Sequence, residues 1–144
     1  MAKALIIRTN GTVQAVEISA GNYDIISDTV GGIFDYVNNT LLDIVGYVND
    51  MGLLIGLEPN PMGTGMFGHV IVGDIVISRV NDEGETIDLG EPYFTERFAS
   101  LVREVNSDEE TKQRLAEMRD MRAQQPMRIF GLDENLQVVG DEKF

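Results

Sequence analysis

His69-Val70-Ile71-Val72-Gly73-Asp74-Ile75-Val76-Ile77-Ser78-Arg79-Val80 is the stretch that decides the fold. It is β-branched and nearly continuous in apolar character, as expected of a strand covered on both faces. Gly73-Asp74 interrupts the run, so a bulge or a turn-like break is expected there. Asn81-Asp82-Glu83-Gly84 reads as a turn, and Glu85 to Leu89 can pair back as a short strand. Just upstream lies the longest irregular stretch, residues 56–68, with Pro59, Pro61 and interspersed glycines that argue against a regular element. Met62, Met66 and Phe67 make it apolar for a loop, which suits a loop pinned on a core or used for contact.

Toward the N-terminus, residues 3–8 and 12–18 read as two strands around Thr9-Asn10-Gly11. Asn-Gly tolerates the positive φ that a tight hairpin turn demands. Tyr23 to Val37 has helical period, with Ile26, Val30, Ile33, Phe34 and Val37 on one stripe. Gly31-Gly32 falls inside that helix, and each glycine costs about 1 kcal/mol relative to alanine there. Close packing on the sheet, close approach of a ligand or partner backbone, and a kink are the three explanations. Residues 41–49 are expected as a strand, with Asn49-Asp50-Met51-Gly52 as a turn.

Beyond residue 91 the character changes. Pro92 is placed to open a helix carrying Phe94, Phe98, Leu101, Val102 and Val105. Ser107-Asp108-Glu109-Glu110 reads as a capping box, starting a second helix at Asp108 that runs to about Gln124, before Pro126. Its apolar stripe (Leu115, Met118, Met121) is narrow, so the helix is expected to project from the body. Residues 127–132 and 136–139 form a candidate final hairpin. The expected architecture is therefore α+β: a mostly antiparallel sheet with one packed amphipathic helix in residues 1–91, then a helical appendage with a short hairpin in 92–144.

The bulk properties narrow the function classes. At 144 residues and 43% hydrophobic content, one domain with a real core is affordable. There is no cysteine, which removes disulfides, thiolate nucleophiles and sulfur-ligated zinc. No run reaches the roughly 18 apolar residues of a membrane span, and residues 1–8 do not read as a signal peptide. A cytoplasmic protein is the expectation. The formal charge of −13, from 24 acidic and 11 basic residues, opposes direct nucleic-acid or anionic-membrane binding.

Few residues offer chemistry. His69 is the single histidine and has no thiol to activate and no second histidine for a shared metal. Gly63-Thr64-Gly65-Met66-Phe67-Gly68 matches G-x-G-x-x-G only as a string, because a β-branched run follows where a dinucleotide site needs a helix. Asp82, Glu83 and Glu85 crowd one turn and read as a solvated tip. No catalytic residue, metal or cofactor is assigned.

Thr9-Asn10-Gly11, Val30-Gly31-Gly32-Ile33-Phe34, the Pro-flanked Asn60 and Gly73-Asp74-Ile75-Val76-Ile77 occur together. Over residues 3–89 this pattern resembles an uncharacterised domain-of-unknown-function family common in tailed phages of actinobacteria and in mobile elements. The resemblance implies an α+β domain in a phage accessory protein and no assigned catalytic residue. The preferred expectation is a non-enzymatic accessory protein that binds a host or phage protein. Its contact surface would be Leu115 and Met118, together with Met62, Met66 and Phe67, and it would also suit a homodimer. A small-molecule binding module using Gly31, Gly32, Asn60 and Thr64 is the second expectation. An acidic DNA mimic that blocks restriction is the third.

Overall fold

A computed structural model describes residues 2–19 and 21–123. The expected final hairpin at 127–139 lies outside the described residues. The architecture is α+β, built on one open sheet of six strands: β1 Ala2–Ile7, β2 Val13–Ile18, β3 Phe34–Asn39, β4 Ile44–Asn49, β5 Ile75–Val80 and β6 Thr86–Ile87. The order is β2-β1-β5-β4-β3, with β6 pairing β5, and each of these pairs is antiparallel. Helices α1 Asp24–Val30, α2 Pro61–Phe67, α3 Glu96–Asn106 and α4 Glu109–Ala123 complete the fold.

β5 is central, and its alternation divides the core. Ile75 and Ile77 point to one face and pack with Leu5, Ile7, Met66, Phe67 and Val102 from β1, α2 and α3. Val76 points to the other and packs with Ala4, Ile6 and Ile26 from β1 and α1. The double coverage expected for this strand is thus present, although the strand itself is shorter than 69–80. Gly73 adopts φ +79° and breaks the run. Residues before it pair instead with the 58–60 segment, through a bridge between Pro59 and Val72 and the bonds from the Asn60 amide to the Ile71 carbonyl and from the Gly73 amide to the Glu58 carbonyl, while Ile71 joins the core. Asp74 then locks the break to the first hairpin, accepting from the Arg8 guanidinium at 2.8 Å and the Thr9 amide at 3.0 Å.

The helix expected over 23–37 ends at Val30. Gly31 takes a left-handed conformation at φ 86°, and the Gly31 and Gly32 amides both donate to the Ser27 carbonyl. The glycine pair therefore terminates the helix instead of lying within it. Phe34 and Val37 belong to β3, where they sit on opposite faces. Positions 30, 33, 34 and 37 satisfy a helical stripe by coincidence with a strand that follows a helix stop.

The stretch 56–68 hides a helix. Asn60 is the N-cap of α2, with its side-chain oxygen accepting from the Gly63 amide, Pro61 sits in the first turn, and Gly68 closes the C-terminus at φ 81°. Gly63 packs closely on Ile71: a Cβ there would lie 3.0 Å from Ile71 Cγ2.

After a 3-10 turn at Glu91–Phe94, α3 begins one turn later than Pro92 implied, capped by Thr95, whose hydroxyl accepts from the Phe98 amide. The capping box does not form. Ser107 closes α3, its hydroxyl donating to the Glu104 carbonyl, and Asp108 instead receives the Thr111 hydroxyl at 2.7 Å. Nor does α4 project over its first turns. Leu115, 8% exposed, packs with Val70, Val72, Leu53 and Leu57, and the Arg119 guanidinium donates to the Leu57 carbonyl at 2.9 Å.

Candidate functional site

The residues first expected to form sites go elsewhere. Asn60 is 0% exposed. Its amide nitrogen donates to the Ile7 and Gly73 carbonyls, and its oxygen accepts from the Gly63 amide and the Asn106 side chain. Every hydrogen-bonding position is used inside the protein, so Asn60 has none to offer a ligand. The Thr64 hydroxyl donates to the Asn60 carbonyl and accepts from the Ile71 amide. Gly31 and Gly32 follow α1 on the opposite face of the sheet, where Asn49 Nδ2 closes the helix end on the Val30 carbonyl. The four therefore do not surround one cavity. Met66 and Phe67 are buried in the core, and Met62 is half-buried against it, so the loop does not form an exposed apolar surface.

Leu115 is also interior, and only Met118, at 43% exposed, and Met121 keep an open apolar stripe on α4. Leu115→Glu should consequently release α4 from the 53–72 segment rather than separate two copies. Hydrogen exchange should show faster exchange over 109–121 with the sheet still protected. Unchanged protection along α4 would refute this placement.

A different set of side chains does converge. β3 is an edge strand, and its alternation sends Phe34, Tyr36 and Asn38 to the α1 face. Tyr47 on β4 lies directly across from Tyr36 in the ladder. Its ring meets that of Phe34 edge-to-face, with centroids 5.5 Å apart at 88°. Tyr23, just ahead of α1, and Gly84 and Thr86 from the β5–β6 hairpin form the remaining walls of a cavity of about 320 Å³. Three of the chain's four tyrosines thus line one concavity. Beside it lies a second, of about 730 Å³, that shares Tyr23, Gly84 and Thr86 and adds Arg79, Glu85 and Asp88. Together they make a trough along the β5–β6 hairpin.

The open edge of β3 is itself blunted. The Asp50 amide bonds the Ile33 carbonyl, so alternation along an antiparallel ladder turns the Tyr36 amide outward. That amide is taken by the Asp35 carboxylate at 2.8 Å, a charge placed where strand addition would start.

Tyr47 is 7% exposed. Burial holds its phenol above the ordinary tyrosine value of 10.0, Thr86 offsets part of this, and Tyr23 and Tyr36 push in the same direction as burial. A raised phenol stays neutral in the folded state to higher pH than in the unfolded chain. Its stabilisation is whole below about pH 10 and is lost as pH rises through the folded value. Urea midpoints measured from neutral to alkaline pH should therefore fall more steeply for the wild type than for Tyr47→Phe. Parallel curves would show that Tyr47 does not carry the effect.

A family model described as a domain of unknown function (DUF3846) matches residues 1–99. The chain belongs to the DUF3846 family. No curated protein and no solved structure matches it. Every trough residue lies inside the DUF3846 match. Val102 and Asn106 lie beyond it, yet both are buried, and Asn106 ties α2 and β1 together through the Met62 amide and the Arg8 carbonyl. His69 is exposed and lines a smaller cavity of about 190 Å³ with Asp35 and Asp50. Among the described residues no three His, Asp or Glu side chains are grouped to hold a metal ion, and no helix is long and apolar enough to cross a membrane.

The sequence reading missed the trough because Tyr23, Phe34, Tyr36 and Tyr47 were divided between a long helix and an unpartnered strand. The signal was the alternation of aromatic residues at 34 and 36, which only a strand brings to one face.

Proposed function

We propose that this DUF3846 protein is a non-enzymatic binding module that holds a partner protein in the tyrosine trough. One observation carries the reading: Tyr23 ahead of α1, Phe34 and Tyr36 of β3 and Tyr47 of β4 converge on a single open concavity. Tyr23 and Tyr36 keep 39% and 60% of their surface exposed. Aromatic side chains left open on a rigid sheet supply large contact area at low cost in side-chain entropy. The phage setting implied by the resemblance belongs to the same proposal, as an accessory protein working in the host cytoplasm on a host or phage partner. A small molecule is the second reading, because about 320 Å³ is within the size range of ligand pockets.

Wild-type protein and the Tyr23→Ala/Tyr36→Ala variant, used as baits in host extract, test the first reading. Both tyrosines are partly exposed, so the variant is expected to keep its fold, checked by its urea midpoint. A protein retained by the wild type and lost by the variant supports the trough as the contact. A protein retained equally by both places the contact elsewhere and refutes it.

A further inference from the structure

We infer that the trough takes the cationic side chain, arginine or lysine, of a basic segment of the partner protein, an inference that rests on the trough being the contact surface.

The aromatic walls point to a cation. Phe34 and Tyr47 stand at right angles, making a corner, and Tyr36 and Tyr23 extend the aromatic lining around it. The face of an aromatic ring carries partial negative charge, and several rings around one space make a cage for a positive group. Tyrosine adds hydroxyl oxygens that accept from an ammonium or guanidinium. A purely apolar guest would be served as well by leucine or phenylalanine, and three of the four rings are tyrosine.

The charge around the cage agrees. No lining residue of the 320 Å³ cavity is charged, so nothing there repels a cation. The adjoining cavity presents Glu85 and Asp88, and the hairpin tip beside it carries Asp82 and Glu83, all four exposed. Its single basic residue, Arg79, is occupied, pairing with Asp43 at 3.2 Å and donating to the Asp88 carbonyl. The whole chain carries −13, so a basic partner is attracted from a distance as well as held at contact. A phosphate or nucleic-acid guest would meet the wrong sign.

The length of the trough favours a chain segment over a free amine. The cage and the larger cavity share Tyr23, Gly84 and Thr86, so a guest longer than one side chain, seated over the rings, has the acidic hairpin beside it. A segment can place one cation over the rings and a second beside Glu85 or Asp88.

The test uses the full chain and defined peptides. The chain has no tryptophan, and three of its four tyrosines line the trough, so its intrinsic emission reports on this site. The probe is an arginine–glycine repeat peptide at low salt, compared with the same peptide in which citrulline, a neutral isostere, replaces arginine. The expected result is saturable change in tyrosine emission with the arginine peptide, and binding weaker by about tenfold or more with citrulline. Tyr36→Leu, which keeps an apolar side chain but removes the ring, should weaken the arginine peptide by a similar factor. Equal binding of both peptides would overturn the cation. Equal binding by wild type and Tyr36→Leu would show general attraction to an acidic surface and overturn the cage. Free arginine amide binding as tightly as the peptide would overturn the segment. If the extract experiment loses a partner in Tyr23→Ala/Tyr36→Ala while the citrulline peptide binds as well as arginine, the trough stands as a protein contact and the cation alone fails.

Discussion

Replacing Asn60 with alanine should lower the stability of the fold by about 3–5 kcal/mol, because buried groups left unsatisfied cost about 1–3 kcal/mol each. Removing its side chain takes one partner each from the Ile7 and Gly73 carbonyls, the Gly63 amide and the Asn106 amide group, which keeps its bond to the Arg8 carbonyl. The loss is a large part of the roughly 5–15 kcal/mol that holds a domain together, and the thermal midpoint should drop by roughly 10 °C. Asn60→Asp should be no milder at neutral pH, since a carboxylate would face two carbonyl oxygens at the distances now bridged by donors. Urea unfolding of the three proteins decides the matter. A midpoint unchanged by either substitution would mean that Asn60 is not the polar pin of the interior.

Phe67→Ala should be comparable, at about 3–5 kcal/mol for an aromatic side chain removed from a core. The ring lies against Gly46 of β4. A Cβ at Gly46 would come within 2.8 Å of two Phe67 ring atoms and 2.9 Å of Ile75 Cδ1. Gly46→Ala alone should therefore cost about 1–3 kcal/mol through overpacking. In the Phe67→Ala background the two ring contacts are gone and Ile75 Cδ1 has vacated space to move into, so the cost of the same methyl should be clearly smaller. Gly46 is not among the positive-φ glycines, so its backbone does not oppose the change. The double-mutant cycle, read by urea unfolding, measures this coupling directly. Strict additivity would show that the ring and the glycine do not share one space.

These two residues also show how far the sequence could be read. The first hairpin was legible because its alternation and its Asn10-Gly11 turn are local, and β5 because a strand covered on both faces has a continuous apolar signature. The α+β class followed from these strands taken with the helical periods at 23–37 and beyond residue 91. The strand β3 was not legible as such, since its apolar positions also fit a helical stripe and the decisive fact was the left-handed turn at Gly31. The helix α2 carried its signals openly, an Asn-Pro start and a glycine stop, but Gly63 and Gly65 in its interior argued locally against it. Burial inverted the expected roles of Met66, Phe67 and Leu115. Their spacing marks an apolar face, and nothing in spacing says whether that face meets solvent or the body of the same chain. The trough was the least legible part because it is a product of topology. Tyr23, Tyr36 and Tyr47 meet only once α1, β3 and β4 are in place.

The position of β5 has a consequence for how the chain acquires its shape over time. β1–β2 and β3–β4 are local hairpins, each closing within a short span of sequence. Neither touches the other in the sheet; β5 alone joins them, reaching Leu5 on one side and Gly46 on the other. Loops of this length close slowly compared with a hairpin turn. On a ribosome, both hairpins can emerge and pair before residues 75–80 leave the exit tunnel. Until then each exposes an inner strand edge and one apolar face. The nascent chain therefore passes through a stage of two half-sheets with adhesive borders, and the arrival of a six-residue strand seals both at once.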